Sequence, residues 1–144
     1  MRIEKSMSQS TDHLEEMLQK WEEVYKRGLL SFWLLLLLSQ RPAYPREIDQ
    51  ALAEISLGSI SADDNSIYRA LSRFEDMGIL SSELQQSELG PPRKYYRLNE
   101  KGLRLLAGFI QRNILIFEDP TVKKQVHAVI AEAGLMENLD DGHH

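Results

Sequence analysis

"GPPRKYYRLNEKG" occupies residues 90–102. Four cations (Arg93, Lys94, Arg97 and Lys101) crowd this stretch with two tyrosines among them, while the chain as a whole carries a formal net charge of −5. Gly-Pro-Pro predicts a loop tip, where prolines cost no ladder hydrogen bond. The flanking segments, "ILSSELQQSEL" before it and "RKYYRL" within it, read as two short strands of a hairpin. Successive strand residues point to opposite faces, so at most one of Tyr95 and Tyr96 faces a core. A ribbon of cations behind a rigid turn suits contact with phosphate.

Upstream, "SADDNSIYRALSRFEDMG" (61–78) reads as a helix. Ser61 and Asp63 are good caps, and Asp64 suits the first turn. Ile67, Leu71 and Phe74 fall on one side. At 100° per residue, Ser66, Arg69 and Arg73 fall on a roughly opposite side, with Tyr68 toward its edge. An earlier helix opens at Pro45, a favoured first position, and carries the stripe Ile48, Leu52 and Ile55. A turn at Gly58 and a short extended piece near Ile60 separate the two. The most apolar run, Leu29–Leu38, predicts a buried helix over 29–39; it is about half the ~20 residues that cross a bilayer. Helix, helix, turn, helix, hairpin is the order of a winged helix-turn-helix, which is mainly α with a small β-hairpin (α+β).

Both flanks predict more helix. In "DHLEEMLQKWEEVYKRG" (12–28), Leu14, Met17, Leu18, Trp21, Val24 and Tyr25 recur at helical intervals, and Gly28 predicts a stop. Residues 1–10 are polar and predicted loose. Asn99 predicts the cap of a helix over 100–118 with two apolar stripes: Leu103, Leu106, Ile110, Ile114 and Phe117, then Leu105, Phe109 and Ile116. One small domain covers one stripe, so the second calls for another surface. Asp119-Pro120 predicts a last helix through about Ala133. The expected organisation is an amphipathic extension (1–28), a DNA-binding winged domain (29–99), dimerisation helices (100–137) and a flexible tail (138–144). The expected dimer contacts are Leu14, Leu18, Trp21, Tyr25, Leu105, Leu106, Phe109, Ile110, Ile114 and Phe117.

"NSIYRALSRFEDMGIL" followed by "GPPRKYYRLNEKG" resembles the PadR family of transcriptional regulators. Ile67, Tyr68, Ala70, Leu71 and Phe74 follow that family's recognition-helix pattern. Gly90, Pro91, Pro92, Arg93, Tyr95, Tyr96, Leu98 and Gly102 follow its wing pattern. The resemblance covers about residues 29–106 and implies a dimeric DNA-binding regulator, usually a repressor; the lack of cysteine fits a reducing, cytoplasmic setting. Its partner would be double-stranded DNA, an operator with inverted-repeat half-sites. Asn65, Ser66, Tyr68, Arg69 and Arg73 would contact DNA from the helix, and Arg93 and Lys94 from the wing. Three departures stand out. Arg69 replaces a frequent proline, Asn99 replaces the usual threonine cap, and "AYPREI" (43–48) replaces the usual His-Gly-Tyr opening. The long N-terminal helix is not general in the family; it resembles the extension of a circadian PadR-like regulator, and that resemblance implies a clock gene as target.

Other chemistries find little support. The chain has no cysteine, so disulfides and thiolate sites are excluded. His13, His127, His143 and His144 are scattered without metal-ligand spacing. Glu15, Glu16, Glu22 and Glu23 read as a solvated helix face. No phosphate loop, nucleotide fingerprint or Ser-His-Asp arrangement is present, and neither an enzyme nor a cofactor is expected. Two alternatives accompany DNA binding. One is a winged module holding an acidic protein partner. The other is a small-molecule effector seated near Trp21 and Trp33 at the dimer interface.

Overall fold

The computed structural model of the chain describes residues 2–135, with side chains from Ser10 onward. It divides into two compact units, up to residue 103 and from residue 104. The first unit holds α1 (Arg2–Gln40), α2 (Pro45–Ile55), α3 (Asp64–Asp76) and the antiparallel hairpin β1 (Leu80–Gln85) and β2 (Arg93–Leu98). Helix α4 (Glu100–Asn113) starts in this unit. Its later residues, a 3-10 turn (Leu115–Glu118) and α5 (Pro120–Glu132) make up the described part of the second.

The core of the first unit is the one that the apolar periodicity predicts. Leu34, Leu35, Leu37 and Leu38 of α1, Ile48 and Leu52 of α2, and Ile67, Leu71 and Phe74 of α3 are all buried. Ile79, Leu80, Tyr96 and Leu98 close it from the hairpin. Burial of such side chains is the main favourable term, roughly 1.5–3 kcal/mol each. Of the two adjacent tyrosines, Tyr96 is buried and Tyr95 is half-exposed, as strand alternation requires.

Caps set the ends. The Asp63 carboxylate accepts from the Ser66 N–H at 2.7 Å, and Asn99 Oδ1 accepts from the Gly102 N–H at 2.9 Å. Asp119 accepts from Thr121 and Val122 at 2.9 and 3.2 Å. Glu47 accepts from the Tyr44 N–H at 3.2 Å and so fixes the start of α2. Gly78 takes φ +74° and turns α3 into β1. Gly90 takes φ +128° ahead of the two prolines at the hairpin tip.

Three expectations are corrected. Gly28 does not stop a helix: α1 runs unbroken from Arg2 to Gln40, across the expected boundary at 28 and through residues expected to be loose. A glycine inside a helix costs only about 1 kcal/mol against alanine and keeps its N–H donor. Gly28 also lacks the positive φ of a terminating glycine. The piece around Ile60 lies outside helix and strand, as expected, and its N–H bonds to the buried Ser56 Oγ at 3.0 Å. The helix expected over 100–118 ends at Asn113 and tightens into the 3-10 turn. Ile55 is only half-buried, so the α2 stripe rests on Ile48, Ala51 and Leu52. The expected tail, 138–144, with His143 and His144, lies outside the described residues, as do 136 and 137 of the expected dimerisation segment.

Gly102 is fixed by close packing. A Cβ there would collide with the Leu98 side chain and sit 2.5 Å from the Ile79 carbonyl oxygen. Gly102→Ala is expected to destabilise the protein by about 1–3 kcal/mol, the usual cost of overpacking. Urea denaturation followed by circular dichroism measures it, with a lower midpoint and an unchanged slope expected.

Candidate nucleic-acid interface

The wing is pinned to the start of α2 by backbone. Ala43 donates to the Tyr96 carbonyl at 2.9 Å, and Tyr96 donates back to the Ala43 carbonyl at 2.8 Å. This bridge adds a third, single-residue rung to the two-stranded sheet. It also brings Tyr44, the next residue, against the wing. The Tyr44 ring meets Tyr95 edge-on at 5.2 Å, and the Arg93 guanidinium lies over it, 4.5 Å from the centroid.

An open cleft of about 570 Å³ results, bounded by the start of α2, Tyr68 of α3 and the hairpin tip. Arg46, Arg93 and Lys94 line it, together with Tyr44, Tyr68 and both loop prolines; among the described residues no carboxylate does. Tyr68 is 51% exposed despite its ring.

The four cations of the ribbon have separate placements. Lys94 is bound to Glu75 of α3 at 3.1 Å and lies over the Tyr96 ring at 5.1 Å. Its pKa is raised, chiefly by the hydrogen bond to Glu75. Lys101 donates to the Met77 carbonyl at 3.3 Å. Arg97 lines a separate small hollow with Glu83, Ser81 and Pro42. Arg93 is the ribbon cation that reaches the cleft without a carboxylate partner among the described residues. Lys94 thus acts first as a strut between wing and helix.

On α3, the structure divides the predicted face. Asn65 and Arg69 are exposed, and Arg69 Nε turns back to the Asn65 carbonyl at 3.4 Å. Arg73 instead donates to Ser31 of α1 at 3.1 Å and stacks on Phe74 at 5.1 Å. Ser66, half-buried, shares a hollow with Glu23, Lys26 and Arg27 of α1. Helix α1 therefore runs beside one flank of α3, and the free face is rotated toward Asn65, Tyr68, Arg69 and Ser72. Ser72 was not singled out from the sequence; its place on the helical wheel, next to Asn65 and on the side of Arg69 away from Arg73, was the available signal. Tyr44 and Arg46 were also missed as site residues. They sit in the segment that departs from the family pattern.

The apolar flanks remain uncovered. On α1, Leu14, Met17, Leu18, Trp21, Val24 and Tyr25 are all exposed. In the second unit, Leu105, Phe109, Ile116 and Phe117 are exposed, Ile110 and Ile114 are half-buried, and Leu106 is buried. Trp21 and Trp33 lie twelve residues apart on one helix, about 18 Å along its axis, so one chain does not join them in a pocket. Among the described residues, no helix is long and apolar enough to cross a membrane.

The model of the transcriptional regulator PadR-like family matches residues 34–108. The PadR family transcriptional regulator of Eggerthella lenta DSM 2243 shares 27% identity over 85% of this chain and 93% of its own, with a TM-score of 0.58. The PadR-like regulator of Bacillus cereus ATCC 14579 shares 30% identity over 69% of this chain and 92% of its own, with a TM-score of 0.55. Bacillus subtilis PadR, solved in complex with operator DNA, shares the fold at 22% identity and a TM-score of 0.52, over 57% of this chain and 47% of its own. No curated protein matches the chain.

The strut has a pH signature. The raised Lys94 pKa means that its contribution is complete below the ordinary lysine value of 10.5 and is lost as pH rises through the higher folded value. Glu75→Gln is expected to melt below wild type at neutral pH, and the gap is expected to close above pH 10.5. Thermal melts of both proteins across pH 7 to about 11.5 check this.

Proposed function

The chain belongs to the PadR-like family of transcriptional regulators, and from that premise we propose that it is a dimeric repressor that binds operator DNA through α3 and the wing. The observation that carries this reading is the cleft. Arg46 and Arg93 line a carboxylate-free concavity directly beside the exposed face of α3, on a chain whose net charge is −5. Such a local concentration of cations is what a polyanion recognises on an acidic protein. The operator complex of the Bacillus subtilis relative supports the same use of the shared fold.

Asn65, Tyr68 and Arg69 would enter the major groove, with Ser66 toward phosphate at the α1 flank. A guanidinium paired with guanine contributes about 1–3 kcal/mol of discrimination. Arg73 would have to give up Ser31 to reach DNA, so Arg69 is the stronger candidate reader. Arg93 supplies phosphate contact, and Lys94 adds field from its place beside Glu75. The exposed apolar faces of α1 and of the second unit would each be covered by a second copy. Two readers related by a dyad would then recognise an inverted repeat with half-sites about 10 bp apart, or a multiple of that. The clock-gene target rests on the N-terminal helix, most of which precedes the family match at residue 34.

Selection of bound sequences from random duplex DNA is expected to return an inverted repeat. In competition assays at fixed salt, Arg69→Ala is expected to lose much of the preference for that repeat without a change in melting temperature, and Arg69→Lys to restore only part of it. Full preference in Arg69→Ala would favour the protein-partner reading. Trp21→Asp and Phe109→Asp are expected to shift sedimentation from dimer toward monomer or aggregate. An unchanged dimer in both would remove the terminal helices from the interface.

A further inference from the structure

We infer that Arg46 and Arg93 form a two-guanidinium clamp for one strand of duplex DNA, and that Tyr44 is the positioning residue that presets Arg93. The inference rests on the DNA-binding reading and deepens it by assigning residues that the wing and recognition-helix patterns do not contain.

Arginine at a flexible hairpin tip ordinarily loses rotamer freedom when it grips a phosphate. Here the Arg93 guanidinium is already laid over the Tyr44 ring at 4.5 Å. That ring is itself fixed. Tyr95 meets its edge at 5.2 Å, the neighbouring Ala43 is bonded both ways to Tyr96, and Glu47 holds the Tyr44 N–H. A guanidinium held over a ring keeps its N–H donors for other partners, and its planar fork suits a phosphate oxygen pair. Arg46, two residues past Tyr44 on the first turn of α2, lines the same cleft from the other wall. Neither arginine has a carboxylate partner among the described residues, whereas Lys94 is neutralised by Glu75. The Tyr68 and Ser87 hydroxyls complete a lining of donors suited to a phosphodiester. Prolines 91 and 92 stiffen the lip.

The test uses the full-length protein and a random-sequence 30-bp duplex, with binding titrated between about 50 and 300 mM salt. Wild type is expected to bind with a steep salt slope. Arg46→Gln is expected to reduce that slope by about one, the loss of one phosphate contact. Tyr44→Leu is expected to weaken binding about two- to fivefold, the worth of an exposed cation–π contact, while Tyr44→Phe, which keeps the ring, stays at the wild-type level. In an Arg93→Ala background, Tyr44→Leu is expected to have no further effect, because its role is exerted through Arg93. A purely structural tyrosine would cost the same in both backgrounds, and that result overturns the positioning role. An unchanged slope in Arg46→Gln overturns the clamp while leaving DNA binding in place. If wild type binds no duplex at any salt, the DNA-binding reading fails and the clamp falls with it.

Discussion

The arrangement depends on two backbone hydrogen bonds, the reciprocal pair between Ala43 and Tyr96 at 2.9 and 2.8 Å. Ala43 is fully buried, and its small side chain lets the linker between α1 and α2 lie against β2. A two-stranded hairpin alone is marginally stable in water. The bridge gives it a third rung, and burial of Tyr96 and Leu98 ties it to the helical core. The wing is thereby part of the domain's folded structure, and the residues after Ala43 acquire a fixed position against it. Arg93, far from Tyr44 and Arg46 in sequence, comes to line one cleft with them for this reason.

Electrostatics then sorts the cations by task. Lys94 and Lys101 fasten the wing and the following helix to α3 and its end, through the Glu75 carboxylate and the Met77 carbonyl. Arg73 reaches across to α1. Arg46 and Arg93 stay in an open cleft that no carboxylate lines among the described residues. A chain of net charge −5 does not attract polyanions as a whole, so a local cluster of cations without an ion-pair partner marks where one can approach.

Much of this was legible in the sequence because it is local. Proline at 45, Asp63, Asn99 and Asp119 mark helix starts through chemistry within one turn, and each does so in the structure. The alternation that buries Tyr96 and leaves Tyr95 outside follows from the pleat alone. One expectation failed on backbone conformation, and other contacts lay beyond the reach of any local pattern. Gly28 was read as a stop, but a glycine terminates a helix only where the chain adopts positive φ, and here it does not. The bond from Arg73 to Ser31 spans 42 positions, and that from Lys94 to Glu75 spans 19; neither has a periodicity to reveal it. Tyr44 stood in plain view as a departure from the family pattern, but its partner ring and guanidinium come from the other side of the hairpin loop.

In the proposed complex, duplex DNA lies across the free face of α3 and the cleft beside it. Amide hydrogen exchange, with and without a selected operator duplex, reads that footprint along the whole chain. The predicted result is new protection concentrated in residues 44–47, 64–73 and 87–94, with α5 unchanged on DNA addition. Protection confined to α1 before residue 28 or to α5, with the cleft segments unaltered, would contradict it.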